Sequence, residues 1–156
     1  MAAGSRNDTL VQIMLAVFRI NGRLLEQGDA MVAPLDLTSA RWQVLGAISL
    51  EGRPLTAPQV AQAMGITRQG ALKQLDRMEE EGLVARQPNP RHERSPLYTL
   101  TARGEAVYAQ AMALNERWVA DLAQGFKNAE LDTTLTTLSR LYERLAGPVP
   151  TNEKRS

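Results

Sequence analysis

The chain has 156 residues, a length that suits one globular domain or a small core with helical extensions. Of these residues 44% are hydrophobic and 22% are charged, so the chain can bury a core. Its net charge of +1 argues against binding nucleic acid over the whole surface, so only a local concentration of positive charge would serve. The absence of cysteine excludes disulfides, cysteine-ligated metal and thiolate redox sensing. No apolar run reaches the roughly 18 residues that span a bilayer, and the N-terminus MAAGSRND lacks a signal-peptide pattern. We therefore expect a cytoplasmic protein without a membrane partner.

The first predicted element is a helix over residues 8–27, capped by Asn7 or Asp8 and ended by Gly28. Its apolar residues lie on more than one face, and a helix that is apolar nearly all round is buried on nearly all sides. Near the end of a short chain, this pattern indicates burial against a second subunit. The segment GDAMVAPLD (28–36) is predicted to be a loop.

The second predicted helix begins at Thr38 or Ser39 and contains ARWQVLGAISLEG. Gly52 and Pro54 end it, because glycine readily adopts the left-handed conformation and proline cannot continue a helix. The residues predicted to face the core are Trp42, Leu45, Ala47 and Ile48.

A helix-turn-helix is predicted next. Thr56 and Gln59 have the spacing of a capping box, in which each satisfies a free amide at the start of a helix. Gly65 ends this helix, and Thr67 caps the following one, RQGALKQLDRMEEEGLV. Two helices joined by a short turn that contains glycine form a helix-turn-helix. The predicted core residues are Val60, Ala61, Met64, Ala71, Leu75 and Met78.

A β-hairpin follows directly. Two β-prone runs, residues 83–86 and Leu97–Leu100, flank a tip that contains Pro88, Pro90 and Pro96. Proline lacks a backbone donor, so this tip cannot be helical and makes a poor central strand. Helix, helix and hairpin in this order indicate a winged helix-turn-helix.

Two further helices are predicted over residues 103–124 and 128–145, the first of them capped by Thr101. Leucines in the last helix recur at steps of four and three, which is typical of a narrow helix-to-helix seam. We therefore predict a homodimer held by the first helix and these two. Its interface residues are predicted to be Leu10, Ile13, Val17, Leu131, Leu135, Leu138, Tyr142 and Leu145.

The exposed side of the 67–81 helix and the hairpin tip carry basic and amide side chains. Arginine and lysine bond guanine, glutamine bonds adenine, and the N-terminal residues of a recognition helix meet base edges. The acidic run Glu79, Glu80 and Glu81 lies at the far end, so charge is polarised along the helix. The wing arginines would reach flanking phosphates or the minor groove. Asp76 is a candidate partner that orients Arg94, because the hairpin folds back beside its helix. The residues predicted to bind double-stranded DNA are Thr67, Arg68, Gln69, Lys73, Gln74, Arg77, Arg91 and Arg94.

Two alternatives stand beside DNA binding. The basic residues of the helix are compatible with a solvated face paired within the helix to Asp76, Glu79 and Glu80. A winged helix can also act as a protein-interaction or dimerisation module that does not read DNA. The arginines at the wing tip favour DNA over both.

Three segments in this order, LTSARWQVLGAI, TAPQVAQAMGITRQGALKQLDRMEEEGLVAR and NPRHERSPLYTLTARG, resemble the multiple-antibiotic-resistance regulator (MarR) family of bacterial transcription factors. The resemblance is close over residues 37–104 and looser in the flanking helices. It implies a homodimer in which terminal helices pair the subunits and two winged lobes bind a pseudo-palindromic operator. It further implies a repressor that is released by a small aromatic or phenolic effector.

The expected fold is mainly α with a small β-hairpin wing. Residues 37–102 form the winged helix-turn-helix, residues 1–36 and 103–147 contribute the dimerisation helices, and residues 148–156 form a flexible tail. The chain departs from the family at two places. His92, Glu93 and Arg94 stand where the wing usually reads acidic, basic, arginine, and Gly70, Ala71 and Leu72 stand where small hydroxyl or β-branched residues are usual.

An effector cleft is expected between the dimerisation helices and the DNA lobe. Its candidate residues are Phe18, Arg41, Trp42, Tyr108 and Met112, for which an ordinary core or interface role is the alternative. His92 is the only histidine and is expected to be a surface residue. With no Ser-His-Asp order, HExxH or phosphate-binding glycine loop, we expect no enzyme, no catalytic residue, no metal site and no cofactor.

Overall fold

Residues 4–147, which the computed structural model describes, contain six α-helices and three short β-strands. Two compact units are distinguished, residues up to Arg117 and residues from Trp118. The elements are α1 (Arg6–Val32), a 3₁₀ turn (Ala33–Leu35), α2 (Ser39–Glu51), β1 (Leu55–Thr56), α3 (Ala57–Met64), α4 (Arg68–Glu80), β2 (Val84–Gln87), β3 (Leu97–Leu100), α5 (Ala102–Leu122) and α6 (Asn128–Leu145).

The core of the first unit lies among α2, α3, α4 and the sheet. The strands are antiparallel in the order β1-β3-β2, so that β3 is central and Tyr98 pairs with Leu55 on one side and Arg86 on the other. The mainly helical fold with a small wing is confirmed. Strand β1 was not predicted. The largest fully buried side chains are those of Tyr98, Leu45, Leu55, Leu75, Met78, Val32, Val44, Val60 and Val84.

Helix α1 is longer than predicted at both ends. Ser5 and Asp8 form its capping box, and the helix continues through Gly28 to Val32. Gly28 is therefore a packing residue and no stop signal, because a Cβ there would lie 2.4 Å from the Ser39 hydroxyl oxygen. That hydroxyl donates a hydrogen bond of 2.9 Å to the carbonyl of Leu25. The loop predicted for residues 28–36 is wrong, since helix and 3₁₀ turn cover most of it.

The caps of the next three helices are as predicted. Thr38 accepts a bond from the amide of Arg41, and Thr56 and Gln59 form the reciprocal capping box. Gly65 ends α3 with φ of +65°, and the hydroxyl of Thr67 accepts from the amide of Gly70 at 3.0 Å. The helix-turn-helix is thus closed by short-range hydrogen bonds that its own sequence supplies.

Strand β2 begins one residue later than predicted, and β3 has the predicted bounds. Thr101 caps α5 by accepting from the amide of Gly104 at 3.0 Å, and its hydroxyl donates to the carbonyl of Gly82 at 2.6 Å. A Cβ on Gly104 would lie 2.0 Å from the carbonyl oxygen of Leu83, so α5 packs directly on the chain that leads into β2. Helix α5 ends at Leu122, two residues before the predicted end.

Helix α6 has the predicted bounds and exposes most of its leucine seam. Leu131, Leu135, Tyr142 and Leu145 are exposed, and Leu138 is half-buried.

Among the described residues, no helix is both long and apolar enough to cross a membrane. The predicted tail, residues 148–156, lies outside the described part. Helix α1 likewise exposes Leu10, Val11, Met14, Leu15, Val17, Phe18, Ile20, Leu24 and Leu25, and leaves Ile13 half-buried.

Candidate nucleic-acid interface

The first two turns of α4 present a polar face to solvent. Ala71, Leu75 and Met78 are fully buried, which fixes the rotation of the helix about its axis. Arg68, Gln69 and Lys73 are consequently exposed, whereas Gln74 is half-buried. Thr67 is occupied as the N-cap, and the free amides of the first turn lie beside it.

The second half of α4 and its C-cap differ because three of their four acidic residues form ion pairs with arginines. The carboxylate of Glu81 forms ion pairs with the guanidinium of Arg41 and with Nε of Arg77, the latter at 3.0 Å. Asp76 and Glu79 both pair with Arg86 at 2.9 Å. Arg77, predicted to contact DNA, is thus engaged with Glu81, although its side chain remains 68% exposed.

The hairpin tip is organised by Asn89, a residue that sequence reasoning missed. The carbonyl of Asn89 accepts from the amide of His92 at 3.1 Å, and its side-chain amide donates to the carbonyl of Ser95 at 2.8 Å. Its side-chain oxygen also accepts from the amide of Arg91 at 3.1 Å. An Asn-Pro dipeptide is a turn signal because asparagine bonds its own backbone two residues on. Both tip arginines, Arg91 and Arg94, are exposed on this braced loop.

Arg94 does not receive the partner expected for it. We predicted that Asp76 would orient Arg94, but Asp76 pairs with Arg86 of β2. Arg86 is the cross-strand neighbour of Tyr98, and its guanidinium lies 5.5 Å from the centre of that ring. Burial raises the pKa of the Tyr98 phenol, against the opposing effect of the Arg86 charge.

A cavity of about 510 Å³ borders α2, α3 and α5. Three predicted effector residues, Trp42, Tyr108 and Met112, line it together with Leu50 and Met64. The other two predicted residues lie elsewhere. Phe18 is 73% exposed on α1 and does not line the cavity.

Arg41 is also absent from the cavity lining, because its guanidinium is committed to Glu81. The side chain is only 12% exposed, so it is unsuited to binding an effector carboxylate there. Within residues 4–147 no group of three or more His, Asp or Glu side chains is arranged to hold a metal ion. His92 is exposed in the hairpin tip.

The sequence model of the MarR family matches residues 35–95, which include the whole helix-turn-helix and most of the hairpin. A solved MarR family transcription regulator is 29% identical to this chain, with a TM-score of 0.75 over 90% of this chain and 94% of that one. The chain belongs to the MarR family. Members of this family are transcription regulators and not enzymes.

Other relatives extend the likeness beyond residues 35–95, to about nine-tenths of the chain. An uncharacterized protein of Mycobacterium tuberculosis is 33% identical over 148 residues, covering 92% of this MarR-family chain and 99% of the relative. A mutant MarR from E. coli, solved in complex with operator DNA, is 22% identical with a TM-score of 0.76 over 88% and 99% of the two chains. BldR from Sulfolobus solfataricus is 20% identical with a TM-score of 0.81 over 90% and 99%. At these identities the last two share the fold.

Proposed function

We propose that this MarR-family protein is a sequence-specific regulator of transcription that binds a pseudo-palindromic double-stranded operator as a homodimer and represses from it. One observation carries the proposal: the exposed basic residues in the first two turns of α4 and at the hairpin tip form no ion pair among the described residues. No ion pair within residues 4–147 involves Arg68, Lys73, Arg91 or Arg94, whereas Asp76, Glu79 and Glu81 all pair with arginines. The local surface is therefore more positive than the net charge of +1 suggests.

The roles of the side chains follow from their places on α4 and the wing. Gln69 and Lys73 lie on the exposed face of the first two turns, the part of a recognition helix that enters the major groove. We assign base reading to them and a shared phosphate and base role to Arg68. The free amides at the start of α4 suit a phosphate. Arg91 and Arg94 would contact phosphate or the minor groove beside the helix.

Exposed apolar side chains support the homodimer. Helices α1 and α6 each expose several large apolar residues, more than a soluble surface usually leaves in one place. An interface between terminal helices of two copies would cover them, and obligate interfaces of this kind often bury more than about 2,000 Å². A two-fold dimer would then read half-sites about 34 Å apart.

Selection of the purified protein against a random duplex library tests the proposal. We expect an enriched palindromic motif, bound with an affinity that falls steeply with salt, by about 0.9 logarithmic units per phosphate contact for each tenfold rise. Absence of enrichment together with a salt slope near zero would favour a protein-interaction module. A reporter gene downstream of the enriched motif then distinguishes repression from activation. The E. coli MarR that was solved with operator DNA supplies a positive control with the same fold.

The cavity beside Trp42 supports an effector as the second part of the proposal. Its apolar walls suit a small aromatic ligand, and residues of α5, one of the predicted dimerisation helices, line it. A ligand that widens this cavity would move α5 relative to α2 and α3, and would thereby change the spacing of the two recognition helices in the proposed dimer. If the ligand binds one spacing a hundredfold more tightly than the other, the coupling free energy is about 2.7 kcal/mol. Bound DNA would then weaken ligand binding by the same factor.

Fluorescence detects such a ligand, because Trp42 and Trp118 are the only tryptophans. In a Trp118→Phe variant, phenolic acids that enter the cavity should quench Trp42 and release the operator. Ligands that quench Trp42 but leave the operator bound would contradict the regulatory role while leaving the cavity as a binding site.

A further inference from the structure

We propose that Arg86 is a positioning residue that holds the wing at a fixed angle to the recognition helix through Asp76 and Glu79. It does this without contacting DNA. The inference rests on the proposed DNA binding, and it assigns a role to a residue that sequence analysis left without one.

The Arg86 side chain is held on three sides. One of its terminal nitrogens, Nη2, lies 2.9 Å from Oδ1 of Asp76 and 2.9 Å from Oε2 of Glu79. These two carboxylates are three residues apart, so they lie on one face of α4. The guanidinium also lies 5.5 Å from the ring centre of Tyr98, a side chain that is 1% exposed and anchored in the core. A planar guanidinium can satisfy carboxylates and stack on an aromatic ring at the same time.

The location of this bridge matters more than its strength. Arg86 lies in β2, one residue before the strand ends at Gln87 and the tip begins. Among the described residues, its two ion pairs are the ones that join α4 to the hairpin. A small change in the direction of β2 at this point would therefore displace Arg91 and Arg94 at the hairpin tip. Binding depends on both elements meeting the duplex together, so loss of this restraint weakens binding even though every DNA-contacting side chain remains.

The net charge of the cluster formed by Arg86, Asp76 and Glu79 argues that Arg86 does not contact DNA. Two carboxylates and one guanidinium sum to −1, which repels phosphate. The guanidinium is also already bonded to those carboxylates. Arg94, by contrast, forms no ion pair within residues 4–147.

The sign of one mutational effect tests the proposal. The double variant Asp76→Asn, Glu79→Gln removes two negative charges near the duplex, so electrostatics alone predicts tighter binding. If the bridge positions the wing, binding at fixed salt becomes weaker instead, by about tenfold, a size that coupling within one ion-pair network reaches. Glu80→Gln is the matched control, because Glu80 is an exposed carboxylate in the same turn and forms no ion pair among the described residues. It should bind DNA as tightly as the parent or slightly more tightly.

A second measurement needs no DNA. Amide hydrogen exchange over the hairpin tip, residues 88–96, should be faster in the double variant than in Glu80→Gln. Exchange at the buried positions Leu75 and Met78 should be the same in both, which shows that the helix itself is intact. Arg86→Lys should give an intermediate loss of DNA affinity, because lysine keeps the charge but not the planar, stacked guanidinium.

Two results would overturn the proposal. One is a double variant that binds as tightly as Glu80→Gln, and the other is a hairpin whose exchange does not change. A parent protein that binds no duplex would instead refute the proposed function, and the exchange comparison would still decide whether Arg86 restrains the wing.

Discussion

The first two turns of helix α4 carry only basic charges, whereas most of the charges beyond them are acidic, and the two parts use their charges differently. In the first two turns Arg68 and Lys73 are exposed and form no ion pair within the described chain, whereas beyond them Asp76, Glu79 and Glu81 are all paired. Charges that are already satisfied inside the protein stabilise or orient it, and those left free are available to a partner. The distinction rests on pairing, which the sequence of the helix does not reveal.

The largest effect on stability is expected at the paired end of α4. Glu81→Ala leaves the guanidinium of Arg41, a 12% exposed side chain, without its carboxylate. We expect a loss of about 2 kcal/mol in the free energy of unfolding, between the small value of a surface pair and the larger one of a buried pair. Chemical denaturation measures it, with Glu80→Ala as the control for a change of charge alone. Equal stability of the two variants would show that the Arg41 pair contributes nothing.

At the free end the effect is expected on sequence preference. Gln69→Ala and Lys73→Ala should each cost about 1–3 kcal/mol in operator binding and relax discrimination at one position per half-site. Neither should change the free energy of unfolding by much, because both side chains are exposed. Repeating the duplex selection with each variant checks this. A variant that returns the parental motif with the parental specificity does not read bases.

Arg94→Ala should have a smaller and more uniform effect. A phosphate or minor-groove contact carries little sequence information, so affinity should fall by a similar factor for all duplexes. The dependence of log affinity on log salt should lose about one unit of slope. Titration of a specific and an unrelated duplex at several salt concentrations measures both quantities. A changed motif with an unchanged slope would assign Arg94 to base reading.

The smallest effect is expected for Arg77, which separates the two halves. Its pair with Glu81 is exposed and spans one helical turn, so Arg77→Ala should cost only about 0.3–0.5 kcal/mol of stability. If Arg77 belongs to the paired half, the salt slope for DNA also stays the same. If Arg77→Ala lowers the salt slope as much as Arg94→Ala does, Arg77 belongs to the DNA-binding residues. The boundary between the DNA-binding and the paired parts of α4 would then lie one turn further along the helix.

Helices whose ends depend on neighbours in the chain were predictable. Thr38, Thr56, Gln59 and Thr67 each bond an amide three residues away, and such spacing is legible in the sequence. Strand β1 was not legible, because two residues are too few to show an alternating pattern.

Features that depend on distant residues were mispredicted. Gly28 reads as a helix end, but Ser39, eleven positions later, determines that it is a point of close packing. The partner of Asp76 depends on the register of the hairpin, which places Arg86 opposite Tyr98 and beside α4. Composition and periodicity contain no information about that register. The solvent-exposed residues of α4 were accessible to sequence reasoning because the buried stripe fixes the opposite face.

The contact between Gly104 and Leu83 determines where this protein can be cut and joined. A chimeric regulator that takes the winged lobe as residues 37–102 would lose the amide that Thr101 caps and the glycine that lets the helix approach the hairpin. Ala111, about two turns further on, is fully buried in the same core. A transplantable lobe therefore ends after residue 111, and a library that varies position 104 should return glycine alone.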